Sequence, residues 1–258
     1  MRSLLALPML AIAATASAQT GDFDWSKSVA PGTLVAIHNV TGDVRVEPGS
    51  GSRVQVTAVR RGRGRNADDL YVAVKEFPKR VVVCVLTRGT DESCDEDGAH
   101  MRSNRSSRGS DARMDVTVHL PASMRVSAHS VSGDVAVTGA EGDVTATSVS
   151  GDVRMDDLDA SSVHAESVSG NVHVTIRALT GDGDLMFKSV SGDVAVTVPR
   201  TLDAEFSMSS VSGNLETDFP ITIRGRMERR DVHARIGKGG RRLEVSTVSG
   251  DVRLNAAN

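Results

Sequence analysis

Aromatic residues are scarce in this chain of 258 residues: one Trp, one Tyr and five Phe make up 3% of it, although hydrophobic residues as a class reach 39%. The core must therefore be built mostly from Val, Ala, Leu and Ile. β-Branched side chains pack well on the pleated surface of a sheet. The composition favours thin layers of strands over a bulky globule, and it provides few aromatic platforms for sugar binding.

Helical periodicity and long apolar runs are also lacking. No stretch of the mature chain shows apolar residues at i, i+3, i+4 and i+7 over three turns, so no amphipathic helix is expected. The N-terminus places Arg2 before an apolar run at 4–14 and a small-residue motif that ends at Ala18. This pattern predicts a secretory signal peptide, residues 1–18, cleaved after Ala18. The run is shorter than the roughly 20 residues of a spanning helix, so we expect a periplasmic or secreted protein without a transmembrane segment.

Catalytic and cofactor motifs are missing as well. The sequence has no Gly-x-Ser-x-Gly elbow, no His-Glu-x-x-His pair and no paired Cys-x-x-Cys. The glycine-rich stretches at 181–184 and 237–240 do not open a predicted helix, so they are interpreted as turns and not as phosphate loops. His129, His164 and His173 fall at outward positions of predicted strands, where solvent-facing histidine is the simpler interpretation. We expect no catalytic residue, no cofactor and no metal site.

One phrase recurs throughout the chain. Val-Ser-Gly-Asp-Val begins at Val131, Val149, Val190 and Val248, and near copies begin at Val40, Val168 and Val211. From Gly133 onward the glycines follow one another at intervals of 18, 19, 22, 21 and 37 residues. Intervals near 20 are typical of stacked coils whose loops vary in length. The last interval is close to two units and predicts a degenerate coil between its ends.

Short alternating strands flank each phrase. In "DVTATS" at 143–148, Val144 and Ala146 would face inward while the threonines face outward, and "VRM" at 153–155 follows on the other side. Alternation of period two is typical of half-buried strands. The prediction is an all-β fold, a repetitive solenoid-like, β-helix-like stack of short strands with coils of about 20 residues, preceded by a less regular N-terminal β part.

The predicted organisation has three parts. A linker at 19–31 follows the signal peptide, and a single all-β repeat domain spans 32–258. Within that domain, 32–121 is irregular and 122–258 carries the repeats. Polar, charged residues at 88–112 predict a flexible surface insert. In the irregular part, strands are predicted at 33–37, 53–59, 70–76, 80–86 and 113–120.

The repeated glycine and aspartate are interpreted as a structural corner. Glycine permits a positive φ or a close approach of a neighbouring coil, and Asp or Asn bonds to nearby backbone amides at bends. Stacked aspartates would repel by about 1 kcal/mol per pair in water, and calcium, the metal alternative, needs a cage of six to eight oxygens. The predicted turn residues are Gly42, Asp43, Gly133, Asp134, Gly151, Asp152, Gly170, Asn171, Gly192, Asp193, Gly213, Asn214, Gly250 and Asp251.

Cysteine and arginine suggest two further features. Cys84 and Cys94 are the two cysteines of an exported chain, so one disulfide can form, with a buried Cys84 and an unrelated Cys94 as the alternative. Guanidinium groups bind phosphate and sulfate through two hydrogen bonds. Two basic clusters are therefore candidates for binding an anionic ligand, with solvated loop arginines as the alternative: Arg60, Arg61, Arg63 and Arg65, and Arg224, Arg226, Arg229 and Arg230.

The stretch "GTLVAIHNVTGDVRVEPGSGSRVQVTAVRR" at 32–61, the serial "SVSGDV" phrases and the ending "IGKGGRRLEVSTVSGDVRL" at 236–254 resemble the bacterial DUF4097 family of putative adhesins with β-strand repeats. The resemblance covers roughly residues 32–254. It implies a solenoid-like all-β fold and an extracytoplasmic or envelope-associated role. It supplies no catalytic motif, and the insert at 88–112 departs from it.

These observations lead to three hypotheses of function. The first is an exported, non-catalytic binding or scaffold protein of the bacterial cell envelope, similar to adhesins, whose partner is an envelope component or a protein. The second is an envelope-stress sensor that binds an anionic envelope glycan or lipid. The third is a glycan-active β-helix enzyme. Nucleic acid is not an expected partner, and self-association is expected through the rung that ends the chain, because "VRLNAAN" provides no polar cap.

Overall fold

The computed structural model describes residues 23–62, 69–100, 112–223 and 231–257, so the predicted signal peptide lies outside it. No helix in these ranges is long and apolar enough to cross a membrane. The strands are β1 Phe23–Ser28, β2 Leu34–Thr41, β3 Val44–Pro48, β4 Arg53–Arg61, β5 Leu70–Phe77, β6 Arg80–Thr87, β7 Ser93–Asp95, β8 Gly98–His100, β9 Arg113–Leu120, β10 Arg125–Ser132, β11 Val135–Thr138, β12 Glu141–Ser150, β13 Val153–Ser169, β14 Val172–Leu179, β15 Leu185–Ser191, β16 Val194–Val198, β17 Ala204–Ser212, β18 Leu215–Thr217, β19 Ile221–Ile223, β20 Asp231–Ile236, β21 Arg241–Ser249 and β22 Val252–Ala256.

Two columns of stacked strands form the molecule, and each rung of the stack gives one strand to each column. The first column consists, in order, of β6, β2, β10, β12, the second part of β13, β15, β21 and β17. The second consists of β9, β3, β11, the first part of β13, β14, β16, β22 and β18. All these neighbours pair in parallel, and they are in register except for local shifts between β12 and β13 and between β13 and β14; Val126, for example, lies between Val35 and Val144. The predicted all-β, solenoid-like fold is confirmed.

Alternating side chains build one core between the columns. In β12, Val144 and Ala146 are buried while Thr145 and Thr147 are partly exposed. The inward side chains of both columns meet in a single hydrophobic cluster, with Phe187 among its largest fully buried members. Fully burying a Val or Leu side chain stabilises a fold by about 1.5–3 kcal/mol, so the repeated apolar rows supply the main stabilisation of the stack.

The order of rungs in space differs from their order in the sequence. The rung formed by β21 and β22 lies between the β15–β16 rung and the β17–β18 rung. In the part of the interval from Gly213 to Gly250 that the structure describes, β19 and β20 pair in antiparallel fashion and form no additional parallel coil. The rung that ends the chain is also not the end of the stack, because β22 is paired with β16 on one side and β18 on the other. The prediction of self-association relied on an open strand edge at the rung that ends the chain, and β22 has no open edge.

Antiparallel strands extend the stack at both ends. At one end β4 pairs with β9, β1 pairs with β4, and β5 pairs with β6. At the other end β20 pairs with β17. Residues 23–28, placed by the sequence in a linker, are thus strand β1, with Phe23 and Trp25 packed against the core.

The polar insert at 88–112 is partly structured. Its residues 93–100 contain the hairpin formed by β7 and β8. A disulfide joins Cys94 in this hairpin to the buried Cys84 in β6. Residues 101–111 lie outside the described ranges, and the part that is described does not fit a freely flexible loop.

Candidate binding surface at the Gly-Asp corners

The repeated phrases come together along one edge of the molecule. Each phrase joins the strand of its rung in the first column to the strand in the second column. Because neighbouring strands are in register, the same position of each phrase stacks on itself from rung to rung. Along the stack the corner glycines follow the order Gly42, Gly133, Gly151, Gly170, Gly192, Gly250 and Gly213.

The corner glycines are needed because the backbones of adjacent rungs approach closely. A Cβ added at Gly151 would lie 2.3 Å from the carbonyl oxygen of Gly133, and one added at Gly170 would lie 2.2 Å from that of Gly151. Real Cβ atoms do not approach an oxygen so closely, so any larger residue must push the rungs apart. The same approach recurs at every corner, from 1.9 Å at Gly213 to 2.3 Å at Gly250. The close approach of the backbones of adjacent rungs, more than a positive φ, explains why glycine occupies each corner.

A buried hydroxyl or amide precedes each corner and bonds to the previous rung. Ser148 Oγ donates to the carbonyl oxygen of Gly133 at 2.9 Å, and Ser167 Oγ donates to that of Gly151 at 2.8 Å. Ser130, Ser189, Ser210 and Thr247 make the same bond to the corner glycine of the adjacent rung, and Asn39 Nδ2 donates to the equivalent carbonyl oxygen of Met114 at 2.8 Å. An unsatisfied buried carbonyl costs about 1–3 kcal/mol, so this row satisfies an acceptor that the close approach buries.

The aspartate or asparagine of each corner except the last, Asn214, accepts a hydrogen bond from the backbone of the next rung. Asp134 Oδ1 accepts from the backbone N–H of Asp152 at 2.9 Å, and Asp152 Oδ1 accepts from that of Asn171 at 2.7 Å. Asn171 Oδ1 in turn accepts from the N–H of Asp193 at 2.9 Å. The sequence predicts bonding to nearby amides; the amide in question belongs to the adjacent rung, so the side chain ties rungs together. Asn serves equally, because this bond needs an oxygen and not a charge.

Two positions of each phrase face the solvent. In the six corners from Gly133 onward, the valine before the corner is 38–56% exposed, and the serine after it is exposed too; at the Gly42 corner these positions are the half-buried Val40 and Thr41. We name these two rows the valine ladder and the outer serines. The valine ladder consists, in stack order, of Val131, Val149, Val168, Val190, Val248 and Val211. The outer serines are Ser132, Ser150, Ser169, Ser191, Ser249 and Ser212.

The two rows form a flat stripe with a regular pitch. Parallel strands lie about 4.8 Å apart, so the six valines extend over about 24 Å. The carboxylates of the corners border the stripe, and those of Asp134, Asp152 and Asp193 are on exposed residues. Clustered exposed apolar residues with a polar border are typical of interaction sites. The negative border disfavours an anionic polymer as the ligand of this stripe.

Of the two basic clusters predicted to bind an anion, only Arg60 and Arg61 lie in the described residues, so anion binding by the clusters stays a prediction. Arg61 Nε lies 3.2 Å from Asp115 Oδ2, and Arg60 Nη2 donates to the carbonyl oxygen of Leu70 at 3.1 Å. Both arginines belong to β4, at the opposite end of the stack from β19 and β20, which flank the second cluster. Arg63, Arg65, Arg224, Arg226, Arg229 and Arg230 lie outside the described residues.

Histidine is used in a way that the sequence interpretation missed. His129 does face outward, but its ring stacks on that of His38, with centroids 4.9 Å apart and an angle of 18° between the planes. Its two ring nitrogens lie 2.7 Å from Ser127 Oγ and 2.6 Å from Thr147 Oγ1. Burial lowers the pKa of His129, and the pKa of His38 falls to about 4. The pair is therefore neutral at pH 7.

In the described ranges, no group of three or more His, Cys, Asp or Glu side chains is arranged to hold a metal ion. The corner aspartates lie in one row, each with an oxygen on the next backbone amide, and share one environment. General acid-base catalysis by a carboxylate pair requires two different environments. The geometry of the corner edge fits contact with a partner surface better than chemistry on a substrate.

Comparisons with known proteins agree with this architecture. A crystal structure of a putative cell adhesion protein from Clostridium sporogenes ATCC 15579 is similar to the chain with a TM-score of 0.50 and 11% identity, covering 91% of this chain and 99% of that one. A putative adhesin from Bacteroides fragilis NCTC 9343 gives a TM-score of 0.40 and 14% identity, covering 91% and 96%. At such identities only the first supports an argument, and that argument concerns the fold alone. No curated protein matches the chain.

The family model named Toastrack DUF4097 matches residues 109–255. This range is more than half of the chain and contains six of the seven corners, from Gly133 to Gly250. The chain belongs to the Toastrack DUF4097 family.

Proposed function

We propose that this chain is an exported, non-catalytic binding protein of the bacterial cell envelope, and that the valine ladder with the outer serines is its binding surface. One observation carries the proposal: in the six repeats from Gly133 onward, the polar residue before the valine, the glycine and the Asp or Asn lie at the contacts between rungs, whereas the valine and the outer serine face the solvent. Neither exposed position is needed for the bonds between rungs. An adhesin-like role accords with the name of the Clostridium sporogenes protein, and export accords with the N-terminal pattern.

The border of the stripe favours one kind of partner. Carboxylates lie beside the valines along the whole edge, interrupted by Asn171 and ended by Asn214. A partner that presents aliphatic groups together with neutral or basic groups would complement this surface, whereas an anionic glycan or lipid would be repelled. We therefore place a protein of the envelope before an anionic polymer as the partner.

Co-sedimentation with separated envelope fractions tests the proposal. Mature chain, residues 19–258, is mixed with peptidoglycan, outer-membrane and inner-membrane fractions, each before and after protease treatment. We expect binding to one fraction and loss of that binding when its proteins are digested.

A triple variant assigns the binding to the stripe. Val149→Thr, Val168→Thr and Val190→Thr together keep β-branching while making the ladder polar, so we expect binding to fall at least about tenfold with an unchanged melting temperature. The matched control exchanges Thr138, Thr175 and Thr197 for Val on the outer face of the second column. Equal binding by the triple variant and the wild type would contradict the proposal.

A further inference from the structure

The hairpin of β7 and β8 covers part of the outer face of the first column. We name residues 93–100 the clasp. It is attached to β6 by the Cys84–Cys94 disulfide, and Arg80 Nη1 donates a hydrogen bond to the carbonyl oxygen of Glu96. A second bond, from the Thr87 N–H to Glu92 Oε2 at 2.6 Å, fixes the chain just before it. The clasp is thus held by one covalent bond and a few polar contacts.

Beneath the clasp lies a small hydrophobic cluster that is separate from the main core. Ala36, Val82 and Leu86 are buried on the outer face of β2 and β6, a face that is polar in most other rungs. Tyr71 and Phe77 from β5 pack against them, as do Cys94 and Ala99 from the clasp. Removal of the clasp would expose this apolar patch to water.

The His38 ring lies between the clasp and His129. A Cβ added at Gly98 would lie 2.5 Å from His38 Cε1 and 2.6 Å from Nε2, so the backbone of the clasp sits directly on the ring. The opposite face of the ring stacks on His129. The closed clasp therefore covers one side of the His38 ring and keeps it partly buried, in a place where a positive charge is costly.

The surroundings of the two histidines are predominantly basic. Burial lowers the pKa of His38 to about 4, and His129, Arg80 and His100 add to the effect. His164 adds to burial in lowering the pKa of His129. The groups that oppose a positive charge on the two histidines are Arg80 on β6, His100 on β8 and His164 on β13. Two carboxylates lie near these groups. Asp95 is bonded to His100 at 2.8 Å, and Glu166 lies 3.3 Å from His164.

We propose that the clasp is an acid-released lid: protonation of the stacked pair of His38 and His129 opens it, the apolar patch of Ala36, Val82 and Leu86 becomes exposed, and the disulfide keeps it attached. The sign follows from linkage. In the closed state His38 remains neutral down to about pH 4, whereas in the open state it gains a proton near its ordinary pKa of 6.5. The closed state is fully favoured above pH 6.5 and loses its advantage as the pH falls from 6.5 through 4.

Hydrogen–deuterium exchange of the mature chain tests the lid. Exchange is measured from about pH 7.5 to about pH 4.5 and corrected for the intrinsic pH dependence of amide exchange. The shift of His38 alone allows roughly a 70-fold change in the opening equilibrium over this range. Because the ring is partly exposed, we expect at least about a tenfold loss of protection in the clasp, with β12 and β15 unchanged. Clasp peptides that remain protected at about pH 4.5 would overturn the proposal.

Variants assign the effect. His38→Gln removes the titrating group while keeping a polar side chain, so the clasp should stay closed at low pH; the control is His173→Gln, on the second column, which should respond like the wild type. An acid response in His38→Gln equal to that of the wild type would overturn the role of the histidine.

The double variant Cys84→Ala with Cys94→Ala removes the disulfide that tethers the clasp. At low pH this variant should bind more of a hydrophobic dye than the wild type, because more of the apolar patch becomes exposed. Equal dye binding with and without the disulfide would overturn the tethered lid.

Discussion

Substitution at a corner glycine gives the sharpest prediction about stability. In Gly151→Ala the new Cβ would lie 2.3 Å from the carbonyl oxygen of Gly133. To reach an ordinary contact, two adjacent rungs must separate by about 1 Å at the corner, where packing into a filled space costs about 1–3 kcal/mol. The separation also weakens the bond from Ser148 to that oxygen and the bond from the Asp152 N–H to Asp134, each of which contributes about 1 kcal/mol. We expect a loss of about 3–4 kcal/mol in the free energy of unfolding.

Two controls separate the contributions. Gly142 has φ of 78° and open space where a Cβ would go, so Gly142→Ala should cost only the backbone term of about 1–2 kcal/mol. Asp152→Asn keeps the oxygen that accepts from the Asn171 N–H, so it should change stability by less than about 0.5 kcal/mol. Urea unfolding followed by circular dichroism measures all three. A loss for Gly151→Ala no larger than that for Gly142→Ala would refute the argument from close approach.

Further predictions concern the other positions of the corner and the histidines. Ser167→Ala should cost about 1–2 kcal/mol in urea unfolding because Gly151 loses its hydroxyl donor, whereas the outer-serine variant Ser169→Ala should be neutral. Asn171→Asp places a carboxylate between two others at about 4.8 Å; each pair repels by about 0.9 kcal/mol in water, so melting should drop at low salt and recover at high salt. As the pH falls from 6.5 through 4, the free energy of unfolding should decrease by about 2 kcal/mol, after allowance for the partial exposure of His38. In His38→Gln that decrease should be smaller; an unchanged pH profile would contradict the assignment.

Much of the fold can be predicted from the sequence because its signals are local. The alternation in "DVTATS" determines which side chains face inward, and the burial of Val144 and Ala146 follows it. Glycine and aspartate at the bend likewise follow from the limited conformations of a corner. These features require no knowledge of which rung lies beside which.

The order of the rungs could not be predicted because the repeats are nearly identical. A rung that carries Val-Ser-Gly-Asp-Val fits equally well against any other, so local sequence does not place the β21–β22 rung between β16 and β18. Between β18 and β21 the chain forms the antiparallel pair of β19 and β20, and β20 also pairs with β17 at the end of the stack. Connection geometry is a tertiary property, and the 37-residue interval alone is equally compatible with an extra coil.

The stacked histidines left a signal that alignment of the repeats would have found. "AIHNVTGDV" from residue 36 and "SAHSVSGDV" from residue 127 place His38 and His129 at the same position of adjacent phrases. In a stack that is in register, equal positions are neighbours. The clasp that covers them left a weaker signal, because the sequence indicates that Cys84 can pair with Cys94 but not that the paired segment lies over His38.

Within each corner the buried polar residue and the glycine stabilise the stack while the valine contacts the partner, and stability and binding measured on the same variants separate these roles. Variants of residues 148–152 and 167–171 are made two at a time, one equivalent position in both rungs, and each is assayed by urea unfolding and by binding to the envelope fraction. The account predicts that changes at Ser148, Gly151 and their equivalents lower stability, while Val149→Thr with Val168→Thr lowers binding and leaves unfolding unchanged. Loss of stability in the valine variant with unaltered binding would contradict it.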